Sequence, residues 1–228
     1  YWQDHPNILA GRDLEQMGTW LGLNTEGKIS ALTNFRDART KPIPSLLSRG
    51  QLINDYLLSE NLAIEHLHSL VPNIQKYGAC NLLMADQSGL HFASNRKLLD
   101  QQLFDSYTYH KLPPGTYGLC NASLDTPWPK LLSAKQQLQN ILSNSSVDLQ
   151  QLKCLLNDEI QADDNILPNT GISKTWEKSL SSQFIRLNDY GTRAKTIILQ
   201  HKNGKTEICE QNFDHSGLFS ESFFELQL

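Results

Sequence analysis

Three glycine-bearing turns, each set between two short apolar runs, constrain this chain more than any other feature. HKNG separates KTIILQ from KTEICE, and its Asn-Gly pair accepts the left-handed backbone that a tight hairpin turn needs. TEG separates TWLGLN from KISALT, and DQSG separates CNLLMA from LHFAS. Strands joined by such short turns run antiparallel, so the chain is expected to build antiparallel sheet.

Helical spacing fills the stretches between hairpins. In QLINDYLLSENLAIEHLHSL the residues Leu52, Ile53, Tyr56 and Leu57, then Ile64, Leu67, Leu70 and Val71, recur every three or four positions, and Pro72 marks the exit. One or two helices are predicted there. A further helix is predicted after Pro129 from Leu131, Leu132, Lys135, Leu138, Ile141 and Leu142. Another follows NSSVD, with Ser146 or Asp148 as its cap and Leu149, Leu152, Leu155, Leu156 and Ile160 on its apolar face. Asp163 to Ser182 carries the Pro, Gly and Asn of a long surface loop. Strands, then helices, then strands again argue for an α+β domain of antiparallel sheets covered by helices, with residues 1–228 as a single domain.

Charge and motifs exclude several classes. At 228 residues and 39% hydrophobic, the chain can bury a substantial core. A net charge of −4 with scattered Lys and Arg gives no basic stripe, so nucleic acid is not an expected partner. No apolar run approaches the roughly 18 residues of a transmembrane helix, and no secretory h-region is visible. Cys80, Cys120, Cys154 and Cys209 match neither zinc nor redox spacing; core thiols in a reducing compartment, and hence a cytoplasmic location, are expected. The chain has no GxxxxGK[ST], GxGxxG, HExxH or GxSxG. His66 and His68 are two apart and cannot share a metal from one helix face, so both read as surface histidines, and Asp158, Glu159, Asp163 and Asp164 lack calcium-loop spacing. Neither a metal nor a cofactor is expected. Trp2, Trp20, Trp128 and Trp176 are either core residues or the lining of a hydrophobic ligand cleft.

Three polar stretches stand apart from packing. ALTNFRD places Asn34, Arg36 and Asp37 at a strand end; GTYGLCNASLDTPWPKL places Asn121, Asp125 and Trp128 after another; DYGTRAKTIIL sets Arg193 at the mouth of the last hairpin. Amides and guanidinium forks at strand ends supply the fixed donors that hold a carbonyl or an oxyanion. The competing reading is that such Asn and Asp residues only close Asx turns. Arg12 and Asp13, in GRDLEQMGTWLGL, are expected to fix the turn that feeds the strand of Trp20.

GRDLEQMGTWLGL, ALTNFRD, the SRG of Ser48 to Gly50, GTYGLCNASLDTPWPKL and YGTRAKTIIL, in that order, resemble the NRDE family, also called the transport-and-Golgi-organisation family. A more distant similarity reaches choloylglycine hydrolases and penicillin V acylases. The resemblance implies a four-layer αββα N-terminal-nucleophile hydrolase fold with two antiparallel sheets between helix layers. It marks Asn34, Asn121 and, more weakly, Arg193 as catalytic positions. Trp20, Arg36, Asp125 and Trp128 are the expected substrate contacts. Family members begin Met-Cys, the exposed cysteine being the nucleophile and its α-amine the base, and an Asn-Arg-Asp-Glu motif follows. Neither is in this sequence, which is therefore expected to start downstream of the nucleophile. The internal cysteines have no free amine to replace it, and Cys120 reads as a packing residue. Two functions follow: hydrolysis of a non-peptide C–N or thioester bond of a small acyl ligand, or carriage of haem or an acyl-lipid without chemistry. For haem there is no CxxCH and no evident axial pair.

Overall fold

The computed structural model describes residues 1–39, 47–99 and 102–228. They form two compact units, one made of Tyr1–Gly115 with Leu119–Leu124 and the other of Thr116–Gly118 with Asp125–Leu228.

The first unit is built on a six-stranded sheet in sequence order: β1 (Ile8–Ala10), β2 (Leu21–Asn24), β3 (Ile29–Asn34), β4 (Cys80–Asp86), β5 (Gly89–Leu99) and β6 (Gln102–Lys111), every neighbour antiparallel. The β2–β3 and β4–β5 hairpins are those expected from TEG and DQSG. Between β3 and β4 lie α1 (Arg49–Leu58) and α2 (Ala63–Ser69). Leu52, Ile53, Tyr56 and Leu57 share one face of α1, and burying that face against Ile8, Leu82 and Met84 makes the core. Lys28 closes the end of α1 from β2–β3, donating to the carbonyls of Ser59 and, at 2.9 Å, Asn61. Asp86 at the end of β4 accepts the Ala63 N–H at 2.5 Å and so fixes the start of α2. One histidine reading is corrected here: His66 is 5% exposed, packed with its ring centre 5.3 Å from that of Tyr56, whereas His68 is exposed and meets the Tyr109 hydroxyl at 2.6 Å. Positions 63, 66 and 67 face inward on α2, which carries His66 into the core.

The second unit has α3 (Pro129–Leu142), α4 (Leu149–Lys153), α5 (Lys174–Ser179) and a three-stranded antiparallel sheet of β7 (Ala194–Gln200), β8 (Lys205–Asp214) and β9 (Gly217–Gln227). α3 starts with Pro129, where the missing N–H costs nothing. Asp148 caps α4, accepting the Gln151 N–H at 2.8 Å. α4 ends earlier than its apolar pattern predicts: Leu156 takes a left-handed backbone at φ 60° and Ile160 is exposed. The stretch read as a long loop contains α5. Cys154 is exposed, against the expectation of a core thiol, while Cys80 and Cys209 are buried. The fold class is α+β with antiparallel sheets, as the sequence predicts.

Candidate functional site

The end of β3 organises the first unit's polar cluster. Asn34 pairs with Cys80 in the β3–β4 register, after which the chain leaves the ladder. Phe35 still donates its N–H to the Ala79 carbonyl at 3.0 Å, but Arg36 donates to the carbonyl of Asn121 at 2.7 Å. Asn121 answers with its side chain, whose Nδ2 donates to the Asn34 carbonyl at 2.9 Å. Two bonds therefore bracket the strand end and tie Leu119–Leu124 to it. Asn34 itself is exposed, and its side-chain amide makes no hydrogen bond among the described residues.

A residue that sequence reading passed over holds this arrangement from below. Asn81, fully buried in β4 opposite Thr33, donates Nδ2 to the Ala122 carbonyl at 2.8 Å and to Thr33 Oγ1 at 3.1 Å. The sequence signals only that an Asn inside the apolar run CNLLMA is buried and needs partners; Nδ2 finds two, while Oδ1 has none among the described residues.

Beside Asn34 opens a cleft of about 470 Å³, lined among others by Asp13, Trp20, Leu32, Asn34, Leu47 and Arg49. Trp20 leaves nearly half of its surface exposed there, while its carbonyl accepts the Leu32 N–H at 2.8 Å, so backbone pairing places the indole. The glycines of GTW and SRG set the cleft's floor. A Cβ on Gly18 would lie 2.7 Å from the carbonyl carbon of Gly50, so only a glycine lets the turn approach the first residues of α1. Asp13 Oδ1 accepts the N–H groups of Glu15 and Gln16 at 2.9 and 3.2 Å, closing that turn as expected. Arg12 makes two bonds to Asp4 at 2.6 and 2.7 Å and stacks 4.5 Å above the Trp2 ring, and this ion pair holds Asp4 down at about 2. Arg49 lines the cleft with one long bond, 3.4 Å from Nη1 to the Ala79 carbonyl.

Trp20, Asn34, Arg36 and Asn121 thus belong to the first unit, and Asp125, Trp128 and Arg193 to the second. Asp125 adopts φ 56° and accepts the Gly118 N–H at 2.8 Å and Lys135 Nζ at 2.7 Å. Burial works to raise its carboxyl, but those two donors outweigh it and hold it below the usual carboxylate range. Trp128 is buried as the residue before α3, and Arg193 is exposed, its carbonyl taking the Phe213 N–H at 2.8 Å. None of the four cysteines lines the cleft. Burial pushes the Cys80 thiol up to about 12 and raises that of Cys209, so both stay protonated at neutral pH. Among the described residues no group of three His, Cys, Asp or Glu could hold a metal, and no helix is long and apolar enough to cross a membrane.

The family model described as Transport and Golgi organisation 2 matches residues 1–215. The chain belongs to the Transport and Golgi organisation 2 family. Similar members include the Transport and Golgi organization 2 homolog of Mus musculus, 31% identical over 230 residues that cover 93% of this chain and 79% of that protein. The Bos taurus homolog is 31% identical and the Homo sapiens homolog 30%, with the same coverage. The bracketed strand end, its Asn81 anchor and the glycine-floored cleft are features of this member of the Transport and Golgi organisation 2 family.

Proposed function

We propose that this family member carries the acyl-binding half of an N-terminal-nucleophile amidohydrolase site, acting on a small acyl amide or thioester, with an N-terminal cysteine outside these 228 residues as nucleophile. One observation supports this reading above the others: the exposed Asn34 amide stands at the wall of the cleft on a strand end that Asn121 and Arg36 bracket. Asn34 is the donor to the oxyanion. Asn121, its amide already spent on the Asn34 carbonyl, is a positioning residue. The thiolate adds to the acyl carbon, the C–N or C–S bond breaks, and the proton passes from the terminal amine to the departing amine or thiol. Water then adds to the acyl-cysteine, releasing the free acid and the thiol.

The test uses full-length protein with an authentic N-terminus against a panel of acyl amides and thioesters, with alkylation of the terminal thiol as control. Asn34→Ala is expected to cut turnover about 10²- to 10³-fold, the usual loss for one oxyanion donor. Asn121→Ala, which releases the strand end that carries Asn34, should cut turnover by no more than that while the fold survives. Wild-type rates in both variants would end the assignment.

A second reading has its own observation. The half-exposed Trp20 and the apolar Leu32 and Leu47 line a cleft that contains no thiol of these 228 residues, as suits a carrier that holds haem or an acyl-lipid without chemistry. Saturable binding without turnover in the thiol-intact protein would select it.

A further inference from the structure

The cleft beside Asn34 is not electrically neutral in its parts. Arg49 is one of its lining residues, and the only bond its guanidinium makes among the described residues is the long 3.4 Å contact to the Ala79 carbonyl. Asn34, whose side-chain amide makes no hydrogen bond among the described residues, stands on the same wall, and Trp20, Leu32 and Leu47 supply apolar surface. Asp13 also lines the cleft, and its Oδ1 is taken up by its own turn. A guanidinium fork and a primary amide next to apolar surface are complementary to one planar anion on an aliphatic body. The apolar wall sets the choice of anion: a carboxylate on an alkyl chain covers Trp20, Leu32 and Leu47 while it meets Arg49, whereas inorganic phosphate has no apolar body to bury there.

We infer that this cleft is a subsite for aliphatic monocarboxylates, with Arg49 as the residue that reads the carboxylate and Trp20 packing on the chain. The inference rests on the acyl-ligand reading above and deepens it. Hydrolysis of an acyl amide or thioester leaves a carboxylate, so the cleft retains the acid that the reaction releases, and the acid competes with the next acyl substrate.

Calorimetric titration of the full-length protein with octanoate, octanamide and inorganic phosphate tests this, the first two sharing one alkyl chain. Octanoate should bind about tenfold more tightly than octanamide, the scale of one well-formed ionic hydrogen-bonded pair, and phosphate should not displace it. Arg49→Gln should lower octanoate affinity about tenfold more than octanamide affinity, and Arg49→Lys should restore part of the preference. Equal affinities for the two probes in the wild type, or a preference that survives Arg49→Gln, would overturn the inference; displacement of octanoate by phosphate would overturn the choice of carboxylate. Should Arg49→Gln fail to fold, the wild-type preference and its salt dependence decide, because an ionic preference shrinks as salt rises. Turnover of octanoyl thioester and amide is read separately. No turnover with the octanoate preference intact removes the hydrolase reading alone, and turnover without the preference removes only the carboxylate subsite.

Discussion

A single buried amide carries more of this site than the residues that face solvent. Asn81 Nδ2 serves both Thr33 and the Ala122 carbonyl, so its loss leaves that carbonyl without its donor in a dry environment. Asn81→Leu is expected to cost about 1 to 3 kcal/mol in urea unfolding, the penalty for one orphaned buried acceptor. Amides of 119–124 should exchange faster in the same variant while β3–β4 amides keep their protection; unchanged exchange in 119–124 would remove Asn81 as the anchor. Asn34 was legible in the sequence because it follows an apolar run at a strand end; the strand expected before Asn121 is not there, since β6 ends at Lys111 and Asn121 lies in a bend, so its place beside β3 depends on the path of the chain. Asn81 was not, because strand periodicity says only that a position faces inward and not which distant carbonyl it meets. Arg49 was quoted only within SRG, and its place on the cleft wall depends on where α1 begins.

At the scale of elements, α2 is one whose stability should follow pH near neutrality. His66 on its inner face is buried, and its Nε2 has no hydrogen-bond partner among the described residues. Burial pushes the imidazole below its ordinary 6.5; the Asp55 charge works against that shift and the Lys28 charge adds to it. Between the depressed value and 6.5 the unfolded chain binds the proton that the folded chain refuses, so His66 costs nothing above 6.5 and stability falls as pH drops through that window. Urea midpoints should decline from pH 7.5 to 5.5 in the wild type and decline less in His66→Phe; parallel declines would clear His66. The β2–β3, β4–β5 and β7–β8 hairpins were readable because their turn chemistry is local, and α3 because Pro129 and an apolar stripe announce it, whereas the pairing of β6 with β5 and of β9 with β8 was not read. β1 with three residues is too short to show a period, and α5 is a six-residue helix inside a turn-rich stretch. α4 was overextended because a helical stripe does not register where the backbone turns left-handed, as it does at Leu156.

For the whole molecule, the path of the chain matters more than any one contact. It enters the second unit at Thr116, returns to the first for Leu119–Leu124, and leaves again at Asp125. A six-residue excursion thus belongs by its contacts to the first unit although both its flanks belong to the second. Hydrogen exchange in rising guanidinium should show the Arg36 amide, bonded to Asn121, opening together with β3 and β4. If it opened instead with β7 and β8, the excursion would have to be assigned to the second unit. The same path sets a schedule during synthesis. Asn34 waits for a partner 87 residues further along. At ribosomal speeds that is a delay of roughly 4 to 17 seconds during which the emerging first unit has an unfinished sheet end.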